Sequence, residues 1–252
     1  MIPVVQLAKT ALFLDVDGTL VPLAPTPEEV YFNAELLALL ADLYKATDYA
    51  LCLVSGRDQG SLEVLCQHLE IPLIGCHGAT LKVPLLGQTW TAPLNQTRHE
   101  ALIQECKTWC WHQEGLRVEP KSHSIAIHYR QRPQLKERVQ RYLTQVGERY
   151  PDYALLTGKY VLELRLASFN KASAIAQLMR SPPFKGKQPI MVGDDVTDEA
   201  AFAWVNQHSG LSLHIGTLGS TCAHYTLPSP KALLAQLQQW SQLAHPHCTL
   251  KL

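Results

Sequence analysis

Ala11-Leu-Phe-Leu14-Asp15-Val-Asp17-Gly18-Thr19-Leu20 is the stretch on which the fold turns. Four apolar residues run without alternation, which suits a strand buried on both faces of a parallel sheet. The chain then presents two carboxylates two residues apart, followed by a glycine that permits a sharp exit. Ligands of open parallel sheets bind beyond the carboxyl ends of the strands. Asp15 and Asp17 therefore stand where a site belongs, although Asp-Gly is also ordinary turn chemistry.

The same arrangement recurs outward along the chain. Ala50–Val54 is a second buried strand and stops at Ser55-Gly56-Arg57, Ile71–Ile74 stops at Gly75, and Ile190–Val192 stops at Gly193-Asp194-Asp195. Leucines at helical spacing mark Asn33–Ala46, and helices are predicted over Ser61–Leu69, Asp198–Val205 and Ser229–Ala244. Strands are predicted at Leu211–Ile215 and Tyr225–Leu227. Buried strands alternating with helices give an α/β fold with a parallel, Rossmann-like sheet. The middle of the chain reads differently. Ser124–Arg130 and Tyr160–Arg165 alternate as half-exposed antiparallel strands do, and helices are predicted near Arg98–His112 and Pro133–Glu148. The expected organisation is a core over residues 1–89 and 168–252, interrupted by an inserted α+β cap domain at 90–167.

Composition bounds the function. The 252 residues are 46% hydrophobic and 17% charged, enough apolar content to build a core and exclude bulk disorder. Lys+Arg and Asp+Glu are both 22, so the basic excess expected of a nucleic-acid binder is missing. No apolar run reaches the roughly 18 residues of a membrane span. The N-terminal stretch lacks a basic flank and runs into Asp15 and Asp17, which argues against a signal peptide. Seven scattered cysteines suit reduced thiols in a cytoplasmic protein. Cys106 and Cys110 are read as helix packing rather than half a metal site, and His245-Pro-His247-Cys248 as a surface terminus. A monomer acting on a small molecule is expected.

The acidic residues carry the chemistry. A carboxylate at the position of Asp15 can attack phosphorus and form an acyl phosphate. Asp194, Asp195 and Asp198 add three more carboxylates at another strand end, where a helix cap is the alternative role. Two unit charges about 4 Å apart repel by ~4 kcal/mol at an effective dielectric near 20. A bound Mg²⁺ relieves that repulsion, and oxygen ligands suit it. Lys171, beside Asn170 at a helix start, can offset a further charge. Ser55-Gly56-Arg57 offers a hydroxyl and a helix N-terminus to a phosphate oxygen.

Together these four elements resemble, in order, the four motifs of the haloacid dehalogenase-like phosphatase superfamily. The resemblance implies that Asp15 is the nucleophile, Asp17 the acid/base and Lys171 the catalytic lysine. It makes Thr19 and Ser55 phosphate-binding hydroxyls, with Gly56 and Arg57 beside them. It assigns Asp15, Asp17, Asp194, Asp195 and Asp198 to the Mg²⁺ site, Asp17 through its backbone carbonyl. A narrower resemblance, to the trehalose-6-phosphate phosphatase family, spans nearly the whole chain. It rests on Leu14–Leu20, Val54-Ser-Gly-Arg57, Gly75-Cys-His77-Gly78 and Gly193-Asp-Asp-Val-Thr-Asp-Glu199. In the insert, Glu119-Pro-Lys121, His128-Tyr-Arg130 and Lys159-Tyr-Val-Leu-Glu163 are similar to that family's cap motifs. The implied substrate is trehalose 6-phosphate, contacted by Glu119, Lys121, Arg130, Lys159 and Glu163, with His77 either a sugar contact or a core histidine. The family commonly reads Arg-Pro and Asn-Lys-Gly where this chain has Arg165-Leu166 and Asn170-Lys171-Ala172. The lysine is kept, and the departures fall where the insert returns to the core. Another sugar-phosphate phosphatase, for sucrose phosphate or a mannosyl phosphoglycerate, and a silent sugar-phosphate-binding module are the alternatives.

Overall fold

The computed structural model describes residues 2–24, 26–158, 160–217 and 220–244. Lys159, expected to contact substrate, and the His245–Cys248 tail lie outside the described residues. From the N-terminus the main elements are β1 (Thr10–Leu14), α1 (Ala34–Ala46), β2 (Leu51–Val54), α2 (Gln59–Cys66), β3 (Leu73–Gly75), β4 (Thr80–Val83) and β5 (Gln88–Thr91). Next come α3 (Gln96–Trp111), β6 (Arg117–Pro120), β7 (Ser124–His128), α4 (Lys136–Arg149), β8 (Tyr153–Gly158) and β9 (Val161–Leu166). Then follow α5 (Lys171–Leu178), β10 (Gln188–Gly193), α6 (Glu199–Gln207), β11 (Leu211–Ile215), β12 (Tyr225–Leu227) and α7 (Pro230–Ala244). The chain divides into two compact units, Met1–Trp90 with Asn170–Leu252, and Thr91–Phe169.

The first unit is built on a sheet ordered β12-β11-β10-β1-β2-β3-β4-β5. From β12 to β3 the pairing is parallel. All five residues of β1 are buried, because helices cover both faces. Leu12 and Leu14 pack on one side with Leu36, Leu40 and Leu43 of α1 and Leu233, Leu237 and Trp240 of α7. Ala11 and Phe13 pack on the other with Ile175 and Leu178 of α5 and Phe202 and Val205 of α6. One departure from the expected parallel sheet is β4, which runs antiparallel to β3. The reversal is made by Cys76, His77 and Gly78, all at positive φ (49°, 55° and 108°).

The second unit carries a four-stranded sheet ordered β6-β7-β9-β8, paired antiparallel throughout. Its period-2 alternation sorts the residues by face. Ile125, Ile127, Leu162 and Leu164 are fully buried, and α4 adds Val139, Leu143 and Val146. Register puts Glu119, Ala126 and Glu163 side by side on the other face, with His128 two residues along from Ala126. Cys106 and Cys110 are buried in α3, and burial pushes both thiols up to about 12. Buried thiols held in the neutral form fit a packing role. Among the described residues no helix is long and apolar enough to cross a membrane.

Candidate active site

Three carboxylates and one ammonium meet at the carboxyl ends of β1 and β10. Asp15 follows β1 directly, and its N–H donates to Val192 of the adjacent strand at 2.9 Å. Asp194 and Asp198 follow β10. Lys171 is the first residue of α5, whose N-cap Asn170 accepts from the Ser173 N–H at 2.8 Å while Ser173 Oγ accepts from the Asn170 N–H. That reciprocal cap fixes where the helix starts and so where Lys171 projects. Its Nζ donates to Oδ1 of Asp15 at 2.7 Å and to Oδ1 of Asp198 at 2.6 Å, and Lys171 is only 2% exposed.

The charges do not balance. Asp15, Asp194 and Asp198 each offer an oxygen within 4.8 Å of the others, against one lysine. Burial, more than the nearby Asp198 and Asp194 charges, holds the Asp15 carboxyl well above its usual range despite Lys171. Burial also lifts Asp194, to about 6, with help from Asp198. Burial opposes the charged form of Lys171, but Asp15 and Asp198 outweigh it and raise its pKa. A group of oxygen donors with surplus negative charge fits a hard divalent cation such as Mg²⁺. Asp15 and Asp194 are the donors best placed to hold it. Asp198 has both oxygens committed, one to Lys171 and the other to the N–H groups of Asp194 and Asp195 at 3.1 Å each.

Of the five aspartates assigned to the metal from sequence, the structure leaves two side chains out of this cluster. The Asp17 carboxylate is held in a two-pronged pair by Arg57, Nε to Oδ2 and Nη2 to Oδ1, both at 2.7 Å. Asp195 is exposed, and its Oδ1 accepts from the Val196 N–H at 2.6 Å as the cap of a short helical turn. Arg57, expected on the phosphate, is thus seated on Asp17, and that pair raises its pKa although burial acts against the charge. The Ser55 hydroxyl is buried and accepts from the Arg57 N–H at 3.1 Å. Thr19 donates to Oδ1 of Asp194 at 3.2 Å. Gly18, at φ +85°, lies so close to Asp194 that a Cβ there would meet its Oδ2 at 2.0 Å. The His77 ring rests on Gly56, where a Cβ would come within 2.4 Å of Nε2.

In the second unit Lys121 Nζ donates to Oε2 of buried Glu163 at 3.1 Å. Glu119 Oε2 lies 2.7 Å from Nε2 of His128, and that hydrogen bond holds the Glu119 carboxyl below its usual range. Arg130 is exposed, its guanidinium 6.0 Å from the centre of the Tyr160 ring. His128 was not singled out from sequence, yet the alternation from Ser124 already places it on the Ala126 face. His214 was missed as well. It is a buried histidine in an otherwise largely apolar strand, 3.1 Å from the Asp194 carbonyl.

Comparison with known proteins gives a consistent picture. A family model described as trehalose-phosphatase matches residues 13–231. The chain is 36% identical over 220 residues to trehalose-6-phosphate phosphatase of Escherichia coli (strain K12), covering 87% of this chain and 82% of that one. It is 38% identical over 231 residues to a probable trehalose-phosphate phosphatase of Sinorhizobium fredii, covering 88% and 84%. A solved trehalose-6-phosphate phosphatase related protein matches with a TM-score of 0.76 at 29% identity, covering 92% of this chain and 97% of that one.

Proposed function

Since this chain belongs to the trehalose-phosphatase family of phosphoric monoester hydrolases, we propose that it hydrolyses trehalose 6-phosphate to trehalose and phosphate through an aspartyl-phosphate. The observation that carries the reading is the Lys171 bridge between Asp15 and Asp198. Lys171 donates to Oδ1 of Asp15, an oxygen whose second lone pair remains for a cation, and Oδ2 is left to attack phosphorus in line. The same ammonium offsets charge that gathers on the phosphoryl oxygens in the transition state. Asp17 protonates the departing sugar oxygen, then takes a proton from the water that cleaves the acyl phosphate. It must first leave Arg57 and take up a proton, because the pair with a guanidinium favours the ionised carboxylate, which has no proton to give. Arg57, so released, and the Ser55 hydroxyl are then available to phosphate oxygens.

Mg²⁺, held by Asp15 and Asp194, supplies Lewis-acid stabilisation of the phosphoryl group when bound. Recognition of the sugar is assigned to Glu119, Lys121, Arg130 and Glu163 of the Thr91–Phe169 unit, together with Lys159. Carboxylates accept from sugar hydroxyls and cations donate to them. Reduced cysteines suit action in the cytoplasm. Phosphate release from a panel of sugar phosphates, in Mg²⁺ and in EDTA, tests this reading. Fast release from trehalose 6-phosphate alone, lost in EDTA, is expected. Equal rates across the panel refute the substrate, and full activity in EDTA refutes the metal.

A further inference from the structure

Asp194 is held on three sides. Its N–H donates to Asp198 at 3.1 Å, its carboxylate accepts from Thr19 at 3.2 Å, and its carbonyl oxygen lies 3.1 Å from Nε2 of His214. Asp198 and Thr19 belong to the motifs that carry the chemistry. His214 comes from outside them, on β11, where it pairs with Gly193 in the ladder. A carbonyl oxygen only accepts, so Nε2 carries the proton and donates it. The ring is 1% exposed and packs edge-on to Phe202 at 6.5 Å between centres. Its Nδ1 has no hydrogen-bond partner among the described residues. Burying a polar atom without a partner is unfavourable, so packing alone would favour an apolar ring here. Among the described residues the one hydrogen bond the ring makes is with Asp194.

We propose that His214 is a positioning residue for the divalent cation. It fixes the Asp194 carbonyl while Asp198 fixes the N–H, so the two peptide groups flanking Asp194, and with them the Cα from which the carboxylate projects toward the metal, are held in place. The inference rests on the Mg²⁺ reading above and extends it to a residue beyond the ligands. Removing such an outer partner lowers metal affinity roughly 10- to 100-fold.

The test is calorimetric titration of Mg²⁺ into the full chain without substrate, for wild type, His214→Phe and His214→Gln. Phenylalanine keeps the ring and removes the donor. Glutamine offers an N–H near the position of Nε2. His214→Phe should bind Mg²⁺ about 10- to 100-fold more weakly, and His214→Gln should recover most of the loss. Melting temperatures in EDTA should stay close together, because the contact matters through the metal. Unchanged Mg²⁺ affinity in His214→Phe overturns the proposal. So does an equal loss in both variants that tracks a lower melting temperature in EDTA, which is the mark of a packing role. If wild type itself takes up no Mg²⁺, the metal reading falls, and this inference with it.

Discussion

Asp15 is asked to be a buried nucleophile, and burial is what makes it reluctant to ionise. Asp15→Asn keeps the shape and can still accept from Lys171, but it cannot attack. Turnover should fall by ~10³-fold or more, and a variant retaining a tenth of wild-type activity contradicts the assignment. The same change removes a charge that burial penalises, so its melting temperature in EDTA at neutral pH should equal or exceed that of wild type. A clearly lower value would show that the charge helps the fold. Asp194 supplies the pH test. Its folded pKa of about 6 lies above the ordinary 3.8, so the folded state favours the protonated form. The stability this confers is complete below the ordinary value and lost as pH rises through about 6. A metal must displace that proton. The rise in melting temperature given by Mg²⁺ should therefore shrink as pH falls from about 7 to about 5, and a rise independent of pH overturns the link between Asp194 and the metal.

At the scale of elements, α5 matters because its first residue is the lysine. Asn170→Ala removes the cap, which costs about 1 kcal/mol, or roughly 2–4 °C in melting temperature for a chain of this size. Activity should fall further than that modest destabilisation accounts for, since Lys171 loses its fixed origin. Stopped-assay rates at a temperature well below melting, compared with Asn170→Ser, check this, because serine restores a cap. The placement of β1 and β10 was open to reading from sequence, since each is a strong apolar run stopping at a polar cluster, and of α5 the sequence marked only the start, at Asn170 and Lys171. Much else was not. Gln88–Thr91 is mostly exposed, and Arg117–Pro120 mixes charge with proline, so neither has the alternation that marks a strand. The antiparallel turn of β4 depends on positive φ at Cys76 and His77, residue types that do not announce it. The Asp17–Arg57 pair joins positions 40 apart, and it follows only from β1 and β2 being neighbours.

Over the whole molecule the two kinds of chemistry sit on different stretches of chain. The three clustered carboxylates and Lys171 belong to Met1–Trp90 with Asn170–Leu252, whereas the Lys121–Glu163 and His128–Glu119 pairs belong to Thr91–Phe169. The proposed phosphate chemistry draws only on the first stretch, which also carries Asp17, Ser55 and Arg57. A sugar needs a surface of donors and acceptors, and the second set lies on a sheet whose opposite face carries the buried Ile125, Ile127, Leu162 and Leu164. Binding energy from the part of a substrate that does not react lowers the barrier by orienting the part that does. Glu163→Gln keeps the size of the side chain and removes its charge, weakening the hold on Lys121 and on any hydroxyl. A lost charged hydrogen bond is worth about 1.5–3 kcal/mol, or roughly 10- to 150-fold in kcat/KM. Trehalose 6-phosphate should lose that much. A small activated ester such as p-nitrophenyl phosphate has no sugar to hold, and its hydrolysis should stay near wild type. Equal losses on both substrates would mean that Glu163 acts through the fold or the carboxylate cluster, and the assignment of sugar recognition to the inserted unit would be wrong.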